Sequence, residues 1–330
     1  MKATVLGCGS WGTALSILLS RNGHDVVLAG RNEEEIASLN SHRENLRYLP
    51  GFVIPEGVRF EVLSSIHETH DLTVVAVPSG AVREVLRAHP AKGSTVVISS
   101  KGLEPGTGLL LTEVVSQEDP TCSSGVLSGP NLAVEIVRGI PTVAISAFEE
   151  KRAALLVQQA FNCPVYRVSV SDDVVGIELG GALKNVLAIG AGMSDGLGFG
   201  DNTKGAFLSR GLMEMARLGA AMGARAETFL GPAGMGDLFA TATSLLSRNY
   251  RLGRALGKGE QLASALQELG QVAEGVPTSE AAQMLAKKFD VEMPVFAAVE
   301  AVIRGKIPPN QAVRMLMDRA PKVDDFLKEG

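Results

Sequence analysis

In the first half of the chain, short β-branched runs alternate with stretches of helical periodicity, and this alternation constrains the fold more than any other feature. Alternating strands and helices predict βαβ units, and hence a mostly parallel sheet covered by helices on both faces. The predicted strands are residues 4–7, 25–29, 72–77, 95–99, 126–128, 142–146 and 165–168. The helices between them include residues 11–21, 81–88, 109–116 and 149–161.

The pattern changes at about residues 169–172, where β-branched clusters give way to Ala, Leu, Met and Gly at helical spacing. The predicted helices of this second part are residues 172–193, 203–222, 235–245, 261–269, 278–288, 295–304 and 309–317. The 330 residues are enough for two compact domains. We therefore expect an α/β domain over residues 1–170 and an all-α domain over residues 171–330.

Gly7, Gly9 and Gly12 form a GxGxxG pattern directly after the first predicted strand and at the start of the first predicted helix. In that context the first glycine permits a tight turn and the second lets the backbone approach a pyrophosphate. The third lets helix and strand pack closely. The helix N-terminus adds free N–H groups and the positive end of a dipole. The sequence thus predicts that the first domain binds a dinucleotide.

The second strand is followed by Gly30 and Arg31, where an NAD-selective site commonly has an acidic residue for the ribose 2′-hydroxyl. Glycine leaves room at this point, and a guanidinium can hold a 2′-phosphate with two hydrogen bonds. This favours NADP(H), and NAD(H) remains compatible. The alternative is an ordinary surface arginine in a loop.

Gly180 and Gly181 precede Lys184 and Asn185 in the most apolar of the predicted helices. Each helical glycine costs about 1 kcal/mol relative to alanine, so a ligand or another helix must approach the backbone there. A lysine in apolar surroundings loses solvation, and its pKa falls towards the range useful for acid–base chemistry. The alternative is a surface lysine whose charged end reaches water.

A buried lysine needs a carboxylate partner, and Asp237 is a candidate, with Thr241 one helical turn further on. Asp237 follows a glycine-rich segment and could also cap the helix that begins there. Arg248 is a candidate for binding phosphate, because its guanidinium is planar, permanently charged and bidentate. Spacing along the chain does not show whether these groups converge on Lys184.

Taken together, six separated motifs resemble the bacterial NAD(P)-dependent sn-glycerol-3-phosphate dehydrogenases, in the order and spacing of that family and over nearly the whole chain. They are residues 7–12, 100–102, 128–131, 179–185, 236–238 and 247–249. The resemblance implies an N-terminal Rossmann-type domain and an all-helical C-terminal domain like that of 6-phosphogluconate dehydrogenase. It also implies reversible hydride transfer between NAD(P)H and dihydroxyacetone phosphate, which supplies sn-glycerol 3-phosphate for phospholipid synthesis.

The same resemblance assigns roles to individual positions. It makes Lys184 the catalytic acid and base, Asp237 the carboxylate that orients it, and Asn185 and Thr241 their polar neighbours. Besides Lys184 and Asp237, the implied substrate contacts are Lys101, Gly129, Asn131, Ser247, Arg248 and Asn249. Besides the three glycines of the loop, the implied cofactor contacts are Ser10, Trp11, Arg31, Tyr48, Lys101, Ala133, Arg248, Val272 and Glu274.

Charge and cysteine content exclude other classes of protein. The formal net charge is −5, and concentrated positive charge for binding nucleic acid is missing. Three widely spaced cysteines, Cys8, Cys122 and Cys163, make neither a disulfide framework nor a CxxC metal site. This predicts a reducing compartment and no bound metal.

The histidines and the apolar stretches show no sign of further sites or of a membrane span. The histidines lie outside the motifs and are expected at the surface: His24, His42, His67, His70 and His89. The longest apolar stretch, residues 177–193, contains Glu178, Lys184 and Asn185 and falls short of the roughly 20 apolar residues of a membrane span. The first residues are too short an apolar run for a signal peptide. We expect a cytoplasmic protein, and the resemblance implies a homodimer.

Two alternatives stay open. A 3-hydroxyacid or ketopantoate-type dehydrogenase would share the two-domain build and a lysine, but residues 236–238 and 247–249 argue against it. A non-catalytic nucleotide sensor would use the GxGxxG domain alone and would not need a pair such as Lys184 and Asp237.

Overall fold

The computed structural model describes residues 1–66, 70–89, 91 and 93–319, which form an α/β domain followed by a helical domain. The strands are β1 (Lys2–Leu6), β2 (Asp25–Gly30), β3 (Glu44–Asn45), β4 (Leu49–Val53), β5 (Val58–Val62), β6 (Leu72–Val75), β7 (Thr95–Ile98), β8 (Ser123–Ser128), β9 (Thr142–Phe148) and β10 (Tyr166–Ser171). The helices of this domain are α1 (Ser10–Arg21), α2 (Glu33–His42), α3 (Val82–Ala88), α4 (Leu111–Glu118), α5 (Ala133–Val137) and α6 (Lys151–Phe161).

Eight strands form one sheet in the order β10-β9-β8-β7-β6-β1-β2-β5, while β3 and β4 pair separately. Neighbours in the large sheet run parallel, except that β8 and β9 are antiparallel. The chain leaves β1 for β2 on one side and later returns to β6 on the other, so the strand order reverses at β1. In open α/β sheets, ligands bind in the crevice at the carboxyl ends of the strands at this point.

The second domain contains eight helices among the residues that the structure describes: α7 (Val174–Gly196), α8 (Asp201–Ala221), α9 (Asp237–Ala242), α10 (Arg248–Gly257), α11 (Leu262–Leu269), α12 (Gly275–Lys288), α13 (Pro294–Ile303) and α14 (Pro309–Met317). The fold-class prediction of a mostly parallel Rossmann-type domain followed by an all-helical domain is confirmed. The predicted strands and helices are present, with ends that differ by a few residues.

The prediction omitted the strands β3, β4 and β5 and the helices α2, α5 and α10. The omitted helices are short or polar: α2 begins with three glutamates, and α10 carries three arginines and buries only one face. The helix predicted over residues 235–245 is shorter, because α9 ends at Ala242 and a π-helical turn, Pro232–Gly236, precedes it.

Helix α7 is the core of the second domain, and its residues from Gly176 to Ser194 are buried. It packs against α8, α9, α10, α12 and α13, and around it lie large side chains such as Phe229 and Phe296. By length and composition this helix could cross a membrane, but 89% of its apolar window is buried within the protein. Its hydrophobicity is explained by the protein core.

Helices α7 and α10 touch backbone to backbone through glycines. A Cβ placed on Gly253 would lie 1.9 Å from the carbonyl oxygen of Ile189, and one on Gly192 would lie 2.2 Å from the carbonyl oxygen of Tyr250. Gly196 and Gly257 make the same kind of contact one turn further along. A Cβ added to either glycine would lie 2.9 Å from the Cα atom of the other. The two helices that carry the candidate site therefore have a fixed mutual register.

The expectation that the histidines lie at the surface is wrong for two of them. His70 and His89 are each only 7% exposed. Burial lowers the pKa of His89, and the neighbouring His70 lowers it further. His24 is half-buried and His42 exposed, while His67 lies outside the described residues.

Candidate active site and dinucleotide cleft

The glycine loop after β1 is packed on one side and open on the other. Gly7 has φ +119°, and a Cβ there would lie 2.8 Å from the carbonyl oxygen of Ala76, just after β6. A Cβ on Gly12 would lie 1.9 Å from the carbonyl oxygen of Gly7. A Cβ on Gly9 would meet no atom within 4 Å. The middle glycine therefore faces the crevice, where a ligand can reach the bare backbone.

The N-terminus of α1 opens on the same crevice. Gly9 is the N-cap and provides no side chain for the first amides, and the first turn contains no acidic residue. The unused N–H groups and the helix dipole favour an anion at this point. The Trp11 indole N–H donates to the carbonyl of Ser99 at 2.9 Å and so fixes the helix against the end of β7.

Asn45, a buried residue of β3, is hydrogen-bonded to the glycine loop and to helix α1. Its Nδ2 donates to the carbonyl of Cys8 and to Oγ1 of Thr13, both at 2.8 Å. Its Oδ1 accepts the backbone N–H of Tyr48 at 3.0 Å. One side chain therefore connects the glycine loop, helix α1 and the segment that carries Tyr48.

At the end of β2, Gly30 and Arg31 have different surroundings. A Cβ on Gly30 would lie 2.7 Å from Sγ of Cys8, so no larger side chain enters without displacing the thiol. Arg31 is exposed, with Nη1 3.4 Å from Oε2 of Glu84, which is exposed as well. Exposed ion pairs of this kind contribute little, so the guanidinium can exchange its partner for another anion.

Lys184 lies in the middle of α7 and is 5% exposed. Its Nζ donates to Oδ1 of Asp237 at 3.0 Å and to Oγ1 of Thr241 at 2.5 Å. Burial lowers the pKa of Lys184 to about 8; Asp237 opposes this shift, while the positive charge of Lys101 adds to it. The fold thus brings together Lys184, Asp237 and Thr241, whose convergence spacing along the chain left open, and the amine loses its proton at mildly alkaline pH.

The Asp237 carboxylate is shared between two lysines. Lys101 follows β7 and donates from Nζ to Oδ2 of Asp237 at 2.6 Å and to the carbonyl of Gly129 at 2.8 Å. Burial by itself would raise the pKa of Asp237, but the charges of Lys101 and Lys184 outweigh it and hold that pKa below its usual range. The carboxylate therefore stays ionised and binds one cation from each domain.

A chain of side-chain amides leads from this centre to α10. Asn185 Nδ2 donates to the carbonyl of Lys101 at 3.2 Å, and Asn249 Nδ2 donates to Oδ1 of Asn185 at 2.9 Å. Oδ1 of Asn249 in turn accepts the N–H of Gly275 at 3.0 Å. The side chains of Asn185 and Asn249 hold the elements of the site together. The second N–H of Asn185 donates to the carbonyl of Gly181 at 3.5 Å, while Asn249 has a further N–H to donate.

The N-terminus of α10 offers a second place for an anion. Ser247 caps the helix by accepting the N–H of Tyr250 at 3.2 Å, and the first turn has no acidic residue. Arg248 is half-buried, with Nη1 3.2 Å from Oε1 of Gln271. Burial lowers the pKa of Arg248, partly against the effect of Glu274, and a guanidinium stays charged at neutral pH all the same.

Glu274 connects the two domains across the crevice. Its Oε1 accepts the N–H of Ser79 at 3.0 Å and its Oε2 accepts the hydroxyl of Ser79 at 2.6 Å. Burial raises the pKa of Glu274, although these hydrogen bonds and Arg248 act in the opposite direction. Ser79 lies just after β6, so this contact joins the dinucleotide crevice to the helical domain.

Comparison with known proteins decides the family. Residues 2–154 match the N-terminal part of NAD-dependent glycerol-3-phosphate dehydrogenase, and residues 173–314 match its C-terminal part. The chain belongs to this family. It is therefore an oxidoreductase that uses a nicotinamide dinucleotide, and the ketopantoate-type and sensor alternatives are set aside.

Relatives agree over nearly the full length. A glycerol-3-phosphate dehydrogenase [NAD(P)+] from Desulfitobacterium hafniense is 44% identical over 97% of this chain and 92% of the relative. One from Geobacillus kaustophilus is 45% identical over 98% of this chain and 96% of the relative. The crystal structure of the glycerol-3-phosphate dehydrogenase of Coxiella burnetii has a TM-score of 0.92 at 36% identity, and covers 96% of this chain and 99% of that one.

Within this family fold, the other predicted site residues surround the crevice to different degrees. Ala133 begins α5, and the Tyr48 ring lies beneath the guanidinium of Arg47 at 4.9 Å. Val272 is 47% exposed and makes no described polar contact. Asn131 is half-buried, and its side-chain amide is hydrogen-bonded to Val143 and Tyr166.

Sequence reasoning missed four polar residues that support the site: Asn45, Ser79, Gln271 and Tyr166. Each acts through hydrogen bonds to residues distant in the chain, and none lies in a glycine-rich or apolar pattern. A single buried asparagine or serine is not distinctive in sequence. Only a prediction of which strands are neighbours could have pointed to them.

Proposed function

We propose that this chain catalyses reversible hydride transfer between NAD(P)H and dihydroxyacetone phosphate, and so interconverts this ketone and sn-glycerol 3-phosphate. The observation that carries the proposal is Lys184, buried against an ionised Asp237 and close to the anion-binding end of α10. The family match gives the class of reaction, and these groups suit the carbonyl and the phosphate ester of the substrate.

Lys184 acts as the proton donor to the carbonyl oxygen and takes the proton back in the oxidative direction. An ammonium group has three N–H donors. In the described part of the chain, two of them point to Asp237 and Thr241, which leaves the third for the substrate. Asp237 holds Lys184 in place and compensates its charge, while Lys101 supplies a second positive charge beside the same carboxylate.

The substrate phosphate binds at the start of α10. Arg248 provides a permanent positive charge, and the unused N–H groups of the first turn add the favourable helix dipole. The Ser247 hydroxyl accepts a hydrogen bond as the cap and still has its own O–H to donate. Asn249 connects the phosphate end to Asn185 at the catalytic end.

The α1 N-terminus and the backbone at Gly9 receive the dinucleotide pyrophosphate, and the cofactor, when bound, supplies the hydride. The residues that would hold its other parts come from both domains: Ser10, Trp11, Tyr48, Lys101, Ala133, Arg248, Val272 and Glu274. Gly9 faces open space and α1 has no side-chain cap, which suits a diphosphate.

We propose a preference for NADP(H) over NAD(H). Arg31 has only a weak, exposed partner, and the thiol of Cys8 closes the space that an acidic side chain at position 30 would occupy. Arg31→Ala should then weaken NADPH binding about tenfold or more and change NADH binding less than twofold. Equal losses for the two cofactors would exclude a contact between Arg31 and the 2′-phosphate.

The assay that tests the reaction mixes the purified chain with NADPH and follows the loss of the reduced-cofactor absorbance. Dihydroxyacetone phosphate is expected to be reduced, while 2-oxo and 3-oxo acids are not. Oxidation with an oxo acid alone would return the choice to the ketopantoate-type enzymes. Binding without turnover would favour a sensor.

The remaining parts of the proposal are a functional division into residues 1–170 and 171–330, a cytoplasmic location, a homodimer and a role in phospholipid synthesis. Strand β10 ends at Ser171 and α7 begins at Val174, and the two family matches stop and start on either side of this point.

Cys8, Cys122 and Cys163 are free thiols, which suits a reducing compartment. Light scattering in solution would give twice the chain mass for a dimer.

A further inference from the structure

Tyr166, the first residue of β10, is a completely buried phenol close to the catalytic carboxylate. Its relative exposure is 0%. Its hydroxyl donates to Oδ1 of Asn131 at 3.0 Å. Buried hydroxyl groups are almost always hydrogen-bonded, and a phenylalanine would fill the same space without that bond. The presence of tyrosine therefore points to a requirement at Asn131.

The amide of Asn131 is held at both ends. Its Oδ1 accepts from Tyr166, and its Nδ2 donates to the carbonyl of Val143 on β9 at 3.1 Å. Next to it, Oγ1 of Thr142 donates to the carbonyl of Pro130 at 2.6 Å. Thr142 and Tyr166 are neighbours in the β9–β10 register. Three side-chain hydrogen bonds thus attach the turn before Ala133 to β9 and β10.

The same turn presents the carbonyl of Gly129 to Lys101. Gly129 has φ +154°, and a Cβ on it would lie 2.7 Å from the carbonyl oxygen of Val143, so the turn is pressed against β9. The Lys101 ammonium lies between this carbonyl, at 2.8 Å, and Oδ2 of Asp237, at 2.6 Å. The position of the turn therefore decides where Lys101 meets the carboxylate.

We infer that Tyr166 is a positioning residue for the reaction: through Asn131 it holds the Gly129 carbonyl that keeps Lys101 on Asp237, and thereby sets the environment of Lys184. The inference rests on the proposed function for its effect on turnover. It assigns Asn131 a supporting role in the turn, which differs from the substrate contact implied by the family resemblance.

The charge state of the phenol agrees with this role. Burial raises the pKa of Tyr166, and the negative charge of Asp237 raises it further. The hydroxyl is therefore neutral and remains a donor throughout the pH range of activity.

Loosening the turn has a defined electrostatic consequence. The positive charge of Lys101 lowers the pKa of Lys184, and Asp237 raises it. If Lys101 moves away from Asp237, its positive charge lowers the pKa of Lys184 less, and the Asp237 carboxylate, no longer shared, raises it more. The pKa of Lys184 therefore rises. A role limited to packing would not produce this shift, because Tyr166 does not contact Lys184 in the described hydrogen-bond network.

The test compares Tyr166→Phe with Tyr250→Phe. Tyr250 is also buried and donates its hydroxyl to a carboxylate, Asp195, outside the site, so both variants lose one buried phenolic hydrogen bond. Lysine side-chain NMR of the full-length protein follows the titration of Lys184, identified by the signal missing in Lys184→Ala. Tyr166→Phe should raise the pKa of Lys184 by about half a unit or more, and Tyr250→Phe should leave it in place.

Turnover gives the second measurement. Tyr166→Phe should lower kcat with dihydroxyacetone phosphate about three- to tenfold, the size expected for one neutral hydrogen bond, with NADPH affinity unchanged within about twofold. The double variant Tyr166→Phe with Asn131→Ala should be no slower than Asn131→Ala alone, because the two residues act in series.

Two results would overturn the inference: an unshifted Lys184 titration in Tyr166→Phe, or losses in kcat that multiply in the double variant. If the wild-type chain fails to reduce dihydroxyacetone phosphate, the proposed function fails on its own, and the NMR titration still decides the role of Tyr166.

Discussion

The glycine loop after β1 and the glycines of α7 and α10 are rich in the same residue for opposite reasons. At Gly9 an added Cβ would meet nothing within 4 Å, whereas at Gly253 it would lie 1.9 Å from the carbonyl oxygen of Ile189. Gly9 leaves the backbone bare for a ligand, whereas Gly7 and Gly12 in the same loop, like the glycines of the two helices, are bare because other backbone atoms pack against them. A high glycine content therefore does not by itself distinguish a ligand-binding loop from a close contact between two helices.

The two regions also use different chemical groups. The loop offers backbone N–H groups, which any sequence with the right glycines can present. The candidate catalytic centre consists of side chains on α7, α9 and α10 together with Lys101, and the register of α7 and α10 depends on their close contact. Substitution of Gly9 should thus affect ligand affinity, and substitutions in the helices should affect stability or turnover.

The largest effect is expected for Lys184→Ala, which removes the proton donor. We expect kcat to fall about 10³-fold, within the range measured for general acid–base groups, with cofactor affinity unchanged within about twofold. Steady-state kinetics and a cofactor titration measure the two quantities. Lys204→Ala is the control, because Lys204 is also a largely buried lysine paired with an aspartate, Asp195, outside the site. A variant that keeps more than a few per cent of kcat would remove Lys184 from its role.

Next in size is Gly253→Ala, which forces a methyl group into the contact between α7 and α10. The overlap with Ile189 should cost about 3 kcal/mol of unfolding free energy, measured by urea denaturation. Gly205→Ala is the matched control, because Gly205 lies inside α8 and an added Cβ meets nothing within 4 Å. That control should gain about 0.5–1 kcal/mol from helix propensity. Similar values for the two variants would refute the packing explanation.

Gly9→Val should reduce affinity without reducing stability. The backbone at Gly9, φ −71° and ψ 178°, suits any residue, and the new side chain points into open space where the pyrophosphate would bind. NADPH affinity should fall about 30-fold or more, with the unfolding free energy changed by less than about 0.5 kcal/mol. Gly200→Val is a close control, since Gly200 caps α8 with nearly the same backbone angles and open surroundings. Unchanged NADPH affinity would place the dinucleotide elsewhere.

The smallest effect is the pH dependence of the wild-type enzyme. Burial lowers the pKa of Lys184 to about 8, so the proton-donating form is lost as the pH rises through that value. We expect kcat/KM for reduction of the ketone to fall, and kcat/KM for oxidation of the alcohol to rise, by up to about tenfold per pH unit around pH 8. Profiles that run parallel in the two directions would exclude Lys184 as the titrating acid and base.

Stability should respond to the same group in a known direction. The folded pKa of Lys184 is lower than that of the unfolded chain, so the unfolded chain binds more protons between about pH 8 and 10.5. This group therefore adds stability as the pH rises through that interval. Lys184→Met should remove this part of the pH dependence in denaturation curves.

Much of the fold could be predicted because its sequence patterns lie within short stretches of the chain. The strand at Lys2–Leu6, the glycine loop and helix α1 follow one another within residues 2–21, and the long apolar helix α7 stands out from every other segment. Lys184 and Asp237 could be singled out, because a lysine among glycines and an aspartate after a glycine-rich turn are unusual. Helix α10 was missed, although its Arg248 and Asn249 were among the candidate residues, because its buried side is a narrow stripe of small and apolar residues.

The sequence by itself determined the two-domain plan and the glycine loop and singled out Lys184 as a candidate catalytic residue, since periodicity and short-range motifs are local properties of the chain. Only the tertiary structure decided that Lys101 shares Asp237 with Lys184, that Gly192 and Gly253 meet, and that Tyr166 reaches Asn131. Those contacts join residues tens to hundreds of positions apart. They form only in the folded chain, where helices pack together and each buried polar group must find its hydrogen-bond partner in a distant segment.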